Sequence, residues 1–260
     1  MKSLLLLFGV AVAVAVASAG KVLVKPVGPG ERGNSHRLYM DAIADILADD
    51  GHAVSMLVAA QHADASVSKY KFITYGADGA APNTAESQFS VPQTSGGNCE
   101  LLLSNRTLLD ALAADDFDVV VVDGLSFCDL LLVRAVQSPF VVVGTAGFSM
   151  VVGNDSPNML SFVSAGAFTA NTDRMSFAQR LNNVVEYLLE NLMLAVVEGG
   201  FMKIGRDLDV VQRGDTIASI RRRASLVFIA SNFALDYPRP LLPNVQLIGG
   251  LLARPAGDLQ

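Results

Sequence analysis

Tryptophan is absent from this sequence, cysteine occurs only twice and histidine only three times. With no Cys-x-x-Cys and no histidine cluster, a zinc centre is not expected. Charged residues make up 17% of the 260-residue chain, and none of them gather into a run of one sign. Charged tails are thereby excluded. The net charge of −6 offers no basic face, so nucleic acid is not an expected partner. Neither repeats nor low-complexity tracts occur. What remains is a chain that is 51% hydrophobic, a globular composition with enough length for one large domain.

One long apolar run opens the chain. Leu4 to Val16 is broken only by Gly9, Lys2 precedes it, and Ala17-Ser18-Ala19 follows as a small-x-small site. This pattern predicts a cleaved signal peptide over residues 1–19 and a luminal, secretory-pathway protein. The run is short for a membrane span, which needs about 20 residues. In an oxidising compartment Cys99 and Cys128 either pair or stay as buried thiols, and sequence leaves both readings open. Asn105-Arg106-Thr107 and Asn154-Asp155-Ser156 are glycosylation sequons that agree with that compartment. Further along, Leu130 to Val152 is interrupted by Arg134, Gln137 and Pro139, so it reads as a helix, a turn and a strand.

Strands and helices alternate from there. Lys21 to Val27 is β-rich. Ser35 to Asp50 is helical, with Tyr39, Ala42, Ile43, Ile46 and Leu47 as its apolar stripe, Arg37, Asp41, Asp45 and Asp49 opposite, and Gly51 as its stop. Ala53 to Val58 is the next strand. Ala59 to Gly97 is the least patterned region, read as loop with one strand at Phe72 to Tyr75. Then come a helix at Leu108 to Ala114, a buried Val run at Asp118 to Val122, a helix at Phe127 to Val136 and a strand at Phe140 to Val143. A long helix follows Ser176 with a Ser-x-x-Gln capping box and an apolar stripe of Phe177, Leu181, Val184 and Leu188. Strands at Ser225 to Ala230 and Val245 to Ile248 close the pattern. Arg221 to Arg223 reads as a solvated helix face. The whole predicts an α/β fold with a doubly wound parallel sheet.

Gly28-Pro29-Gly30-Glu31-Arg32-Gly33 matches G-x-G-x-x-G after the first strand, with Asp49 or Asp50 placed as a ribose-binding acid. This is the basis of one alternative, a secreted NAD-type dinucleotide-binding protein. Against it, Asn34 and Ser35 look like the helix cap, which leaves the glycines ahead of the first turn.

Four collinear segments carry a stronger signal. They are Lys21-Val22-Leu23-Val24 with Ser35-His36 and Asp50-Gly51-His52-Ala53-Val54; Phe117 to Asp123 with Cys128; Asp173 to Arg180; and Asp236-Tyr237-Pro238-Arg239-Pro240 followed by Ile248-Gly249-Gly250. Together they resemble the UDP-glucuronosyltransferases and the wider UDP-glycosyltransferase family. The resemblance implies the N-terminal Rossmann-like domain of a GT-B glycosyltransferase over residues 20–250, with 251–260 beginning a linker to a donor-binding half. It departs from the family in the Gly-rich Gly28 to Gly33 loop and in the Ala59 to Gly97 region.

The activity so implied is inverting transfer of glucuronic acid or glucose from a UDP-sugar to a hydroxyl of a small lipophilic acceptor. In that reaction His36 is the expected base and Asp123 its orienting carboxylate. Phe148, Met150 and Phe162 are expected to line an apolar acceptor pocket, although plain core is the competing reading. His52 and His62 are expected to be structural and solvated, respectively. UDP-sugar is expected as a co-substrate, with no tightly bound cofactor, and a membrane only through a C-terminal anchor outside this sequence. A homo-oligomer is compatible with the resemblance. The other alternative is a binding module that holds acceptors without chemistry.

Overall fold

The computed structural model describes residues 19–28, 34–64, 66–67, 69–76, 93–145, 160–163, 171–234 and 236–253. Seven strands run in chain order: β1 (Lys21–Lys25), β2 (Ala53–Ala59), β3 (Lys71–Tyr75), β4 (Val119–Asp123), β5 (Phe140–Gly144), β6 (Leu226–Ile229) and β7 (Val245–Leu247). They form one sheet in the order β3-β2-β1-β4-β5-β6-β7. Every adjacent pair is parallel. The helices between them are α1 (Ser35–Asp49), α2 (Gln93–Ser104), α3 (Arg106–Ala114), α4 (Phe127–Val136), α5 (Phe177–Asp207) and α6 (Ile217–Arg221). The doubly wound α/β expectation therefore holds. The signal-peptide run up to Ser18, the Asn154 sequon and Gly30 to Gly33 lie outside the described residues.

The central strands are near-continuous Val because both of their faces are covered. On one face Val22, Val24, Met56, Val58, Val121 and Val143 pack against Met40 and Ala44 of α1. On the other, Leu23, Leu57, Val120 and Val122 pack against residues of α2, α3, α4, α5 and α6. Short polar side chains start the helices by accepting otherwise orphaned amide donors. Asn34 accepts from Arg37 N, Asn105 from Leu108 N and Ser126 from Asp129 N. Ser176 and Gln179 form the expected capping box of α5. Gly51 adopts φ +89° directly after the α1 cap, a left-handed turn open to glycine at no steric cost.

Three local expectations are corrected. The Ala59 to Gly97 region ends in α2, which begins at Gln93. Its Gly96-Gly97 pair disguises a helix that tertiary contacts stabilise, since Cys99, Leu102 and Leu103 are all buried. Helix α1 buries a face shifted to one side of the expected stripe. Ile43 and Leu47 of that stripe pack against the core, but the fully buried residues are Arg37, Met40 and Ala44, and Ile46 is exposed. Arg37 sits over the Phe72 ring at 5.5 Å and bonds Asp41 at 2.7 Å, and Asp41 also accepts from the Tyr70 hydroxyl at 2.8 Å. Finally, Arg221 is buried in α6, and only its neighbours Arg222 and Arg223 remain exposed.

The largest departure concerns α5. Its expected core stripe faces outward, with Phe177 84% and Leu188 60% exposed, while Asn183 and Glu190 point inward. The C-terminal half sets this rotation. Phe201 packs edge-on against Phe127 of α4 at 5.7 Å between centroids. At Gly205 a Cβ would lie 3.2 Å from Leu131 Cδ2 and 3.1 Å from Val211 Cγ1, so only glycine allows the close approach without displacement. Asn183 lies about five helical turns before Phe201 and therefore shares its face. There its amide donates to the carbonyls of Leu160 (3.0 Å) and Val163 (2.8 Å).

Cys99 of α2 and Cys128 of α4 are joined in a disulfide, with Cα atoms 5.6 Å apart and a sequence separation of 29. Replacing both by Ala is expected to cost about 3–4 kcal/mol, from the chain entropy of a loop that size. Denaturant unfolding of the oxidised protein and the double variant measures the difference.

Candidate active site

The sheet order reverses direction between β1 and β4. The chain leaves β1 toward α1 on one face and leaves β4 toward α4 on the other. Open α/β sheets place their sites at such a switch point, beyond the carboxyl ends of the strands.

His36 and Asp123 meet at this point. His36 is the second residue of α1, set by the Asn34 cap. Asp123 is the last residue of β4. Imidazole Nδ1 lies 2.7 Å from Asp123 Oδ2. The carboxylate can only accept, so Nδ1 carries the proton and Nε2 is left as the ring's acceptor. Asp123 is wholly buried and the His36 side chain 19% exposed. The other carboxylate oxygen, Oδ1, accepts from Leu125 N at 2.9 Å, which fixes its plane. The Thr145 hydroxyl, just past β5, contacts the ring as well, 2.6 Å from Nδ1 and 3.2 Å from Nε2.

A second charge pair lies behind the first. Lys25, ending β1, and Asp129, in the first turn of α4, approach to 3.4 Å and are both buried. Lys25 Nζ also donates to the carbonyls of Pro26 (2.7 Å) and Gly28 (2.5 Å). Burial by itself would pull the Lys25 amine down, but Asp129, Tyr75 and Asp123 outweigh it and its pKa is raised. Asp129 is pushed up to about 7, chiefly by burial, with Lys25 opposing and Asp123 reinforcing the shift. The two directions are compatible. The ammonium has several acceptors, whereas Asp129 Oδ2 has no hydrogen-bond partner.

The other expected site residues separate. Of the acceptor-pocket candidates, Phe148 and Met150 lie outside the described residues. Phe162 is 41% exposed, in the 160–163 turn that Asn183 holds. His52 is structural: its Nδ1 accepts from Gly20 N at 2.9 Å, at the opposite end of the sheet. His62 is half-buried in a short 3-10 turn, Ala60–His62, instead of standing free in solvent.

The dinucleotide alternative lacks its geometry. Helix α1 opens at Ser35 with no glycine in its first turn. Gly28 is engaged as an acceptor for Lys25 and for the Tyr75 hydroxyl (3.3 Å). Asp49 and Asp50 lie at the far end of α1, where Asp49 pairs with Lys69 at 2.9 Å. A ribose-binding acid belongs beside the carboxyl ends of the strands.

Sequence reasoning missed Lys25, Asp129 and Thr145. A signal existed for the first two. Lys25 directly follows the apolar Val22-Leu23-Val24 of β1, and Asp129 directly precedes Leu130-Leu131-Leu132 in α4.

Sheet order and site together define a Rossmann-like α/β domain with a His–Asp couple at its switch point. A model of the UDP-glucuronosyl and UDP-glucosyl transferase family matches residues 83–260, and the chain belongs to that family. It is similar to UDP-glucuronosyltransferase 2C1 of Oryctolagus cuniculus, 34% identical over 62% of this chain and 32% of that protein. It is 26% identical to human UDP-glucuronosyltransferase 3A1 over 86% of this chain and 47% of that protein. Human 2-hydroxyacylsphingosine 1-beta-galactosyltransferase is also 26% identical, over 95% and 48%. The chain thus spans half or less of the length of these relatives. Among solved structures, the glycotransferase of kitacinnamycin superposes with a TM-score of 0.55 at 17% identity, covering 94% of this chain and 55% of that one, which supports the fold.

Asp129 gives the site a pH signature. Its folded pKa of about 7 lies above the ordinary carboxylate value of 3.8. Between those values the folded chain holds more protons than the unfolded one, so this group's contribution to stability falls as pH rises through the window. Replacing the pair with apolar residues (Lys25→Met with Asp129→Leu) removes that dependence. Thermal melts from about pH 4 to 8 are therefore expected to show the wild type losing ground to the double variant up to about pH 7 and holding level above it.

Proposed function

We propose that residues 20–250 form the acceptor-binding half of a UDP-sugar-dependent transferase, acting with a donor-binding domain that residues 251–260 lead toward. The observation that carries this reading is the 2.7 Å contact between His36 Nδ1 and buried Asp123, with the ring partly exposed at the switch point. Family membership supplies the reaction class.

The chemistry is inverting transfer. Nε2 of His36 accepts the proton of an acceptor hydroxyl as its oxygen attacks the anomeric carbon of the UDP-sugar. The new carbon–oxygen bond forms opposite the leaving group, and UDP departs with the bonding electron pair on its phosphate oxygen. Asp123 holds the ring with Nε2 toward the acceptor and stabilises the imidazolium that forms. The sugar is glucuronic acid or glucose. The acceptor is a small lipophilic molecule bearing a hydroxyl, a class consistent with the relative named for 2-hydroxyacylsphingosine. Phe162, with Phe148 and Met150, is assigned to its apolar contacts. The Cys99–Cys128 disulfide and the exposed Asn105 sequon support a luminal, endoplasmic reticulum setting. Among the described residues no helix is long and apolar enough to cross a membrane.

The test is a chimera joining this chain after Gly250 to the donor half of a UDP-glucuronosyltransferase. It is assayed with UDP-glucuronic acid and UDP-glucose against a panel of phenols. His36→Ala is expected to lower transfer by roughly 10²–10⁴-fold. Asp123→Asn, which removes the charge that orients the ring, is expected to lower it by at least about 10²-fold. A folded chimera that binds phenols but transfers nothing identifies a binding module instead.

A further inference from the structure

Packing alone does not call for the Lys25–Asp129 pair. An apolar side chain at the end of β1 would avoid burying an ammonium, and an apolar pair of similar volume is often no less stable than a buried ion pair. Its placement points to another role. Lys25 pairs in register with Val122, so its side chain shares the Val122 face and the Asp123 side chain takes the opposite one. The two pairs therefore stand back to back across the end of the sheet. The carbonyls that Lys25 holds, those of Pro26 and Gly28, belong to the segment that leads to Asn34 and His36. Asp129 sits in the helix that begins just beyond the Asp123 turn, where Ser126 caps it at 3.2 Å. Both segments that deliver the His–Asp couple are thus anchored to one buried charge pair.

We infer that Lys25 and Asp129 are positioning residues for the His36–Asp123 couple. Lys25 clamps the Pro26 and Gly28 carbonyls just after β1, and the two charges set the proton affinity of the His36 ring from behind Asp123. The catalytic meaning of this inference rests on the function proposed above. Four titratable groups interact here, Lys25 from β1, Tyr75 from β3, Asp123 from β4 and Asp129 from α4, and His36 from α1 joins them through Asp123. Lys25 and Asp129 each interact electrostatically with Asp123. The Tyr75 ring lies beneath the ammonium at 5.9 Å. Around neutrality Lys25 stays charged while Asp129 exchanges its proton, so the net charge behind the couple is positive.

The sign of each variant follows. Lys25→Met removes that positive charge, and Asp129→Asn leaves it uncompensated. Histidine Cε1 resonances of the full chain, followed by NMR across pH, report the outcome without any sugar donor. The His36 midpoint is expected to rise in Lys25→Met and to fall in Asp129→Asn, each by about half a pH unit or more. His52, at the far end of the sheet, is expected to stay in place and serves as the internal control. A purely structural pair would not produce shifts of opposite sign. A His36 midpoint that stays put in both variants, or moves the same way in both, overturns the inference.

If either single variant fails to fold, the apolar double variant Lys25→Met/Asp129→Leu replaces it. Its His36 resonance is expected to shift its midpoint or to split into more than one environment. An unchanged His36 in that variant overturns the inference as well. Opposite shifts in a chain whose chimera transfers no sugar would retain this pairing and remove the proposed transferase function.

Discussion

Parallel pairing of β1 with β4, Val22 against Val119 through Lys25 against Val122, decides where the rest of this chain can go. The strands before it in the sheet, β2 and β3, grow outward on one side, and β5, β6 and β7 grow on the other. At that seam the connections leave for opposite faces, β1 toward α1 and β4 toward α4. Beyond the strand ends a ring from the start of α1 meets a carboxylate from the end of β4. Eighty-seven residues of chain separate His36 from Asp123, and one strand register brings them to 2.7 Å.

Around the seam the core is more polar than the composition suggests. Lys25, Arg37, Asp123 and Asp129 are all essentially inaccessible. Burying so many ionisable groups costs several kcal/mol for each ion unless partners and hydrogen bonds offset it. Here the partners are specific. Arg37 has Asp41 and the Phe72 face, Asp123 has His36 and Leu125 N, and Lys25 has two carbonyls and Asp129. Asp129 is the least satisfied member, and its raised pKa is the physical trace of that deficit. Such networks do more to specify an arrangement than to stabilise it. On α1, His36 shares its face with Met40, Ile43 and Leu47, so the packing that buries this face also turns His36 toward Asp123.

Helix α5 shows the same logic at a distance from the site. Its last turns are locked by Phe201, Met202 and Gly205 against α4 and the Val211 segment. A straight helix has one rotational setting, so locking one end fixes the other. Asn183 is carried inward and finds the Leu160 and Val163 carbonyls, while Phe177, Leu181, Leu188 and Leu192 are carried outward.

The alternation of elements, the parallel sheet, the capping residues and the presence of a histidine at a helix start and an aspartate at a strand end were all determined by local sequence. Period, propensity and cap chemistry act over a few residues, and those signals are strong in the Val119–Asp123 run, at Asn34 and at Ser176. Three things were decided only by tertiary structure: which face of α1 and α5 turned inward, whether Cys99 and Cys128 met, and whether Lys25 of β1 and Asp129 of α4 found each other. A helix with apolar residues on more than half its surface does not encode its own rotation. A disulfide or a buried ion pair depends on distances between elements that no sequence spacing contains. Lys25 and Asp129 have no visible connection in the sequence until α4 packs on the Leu23 and Val122 face of the sheet and brings them to 3.4 Å, where desolvation and proximity make them a pair.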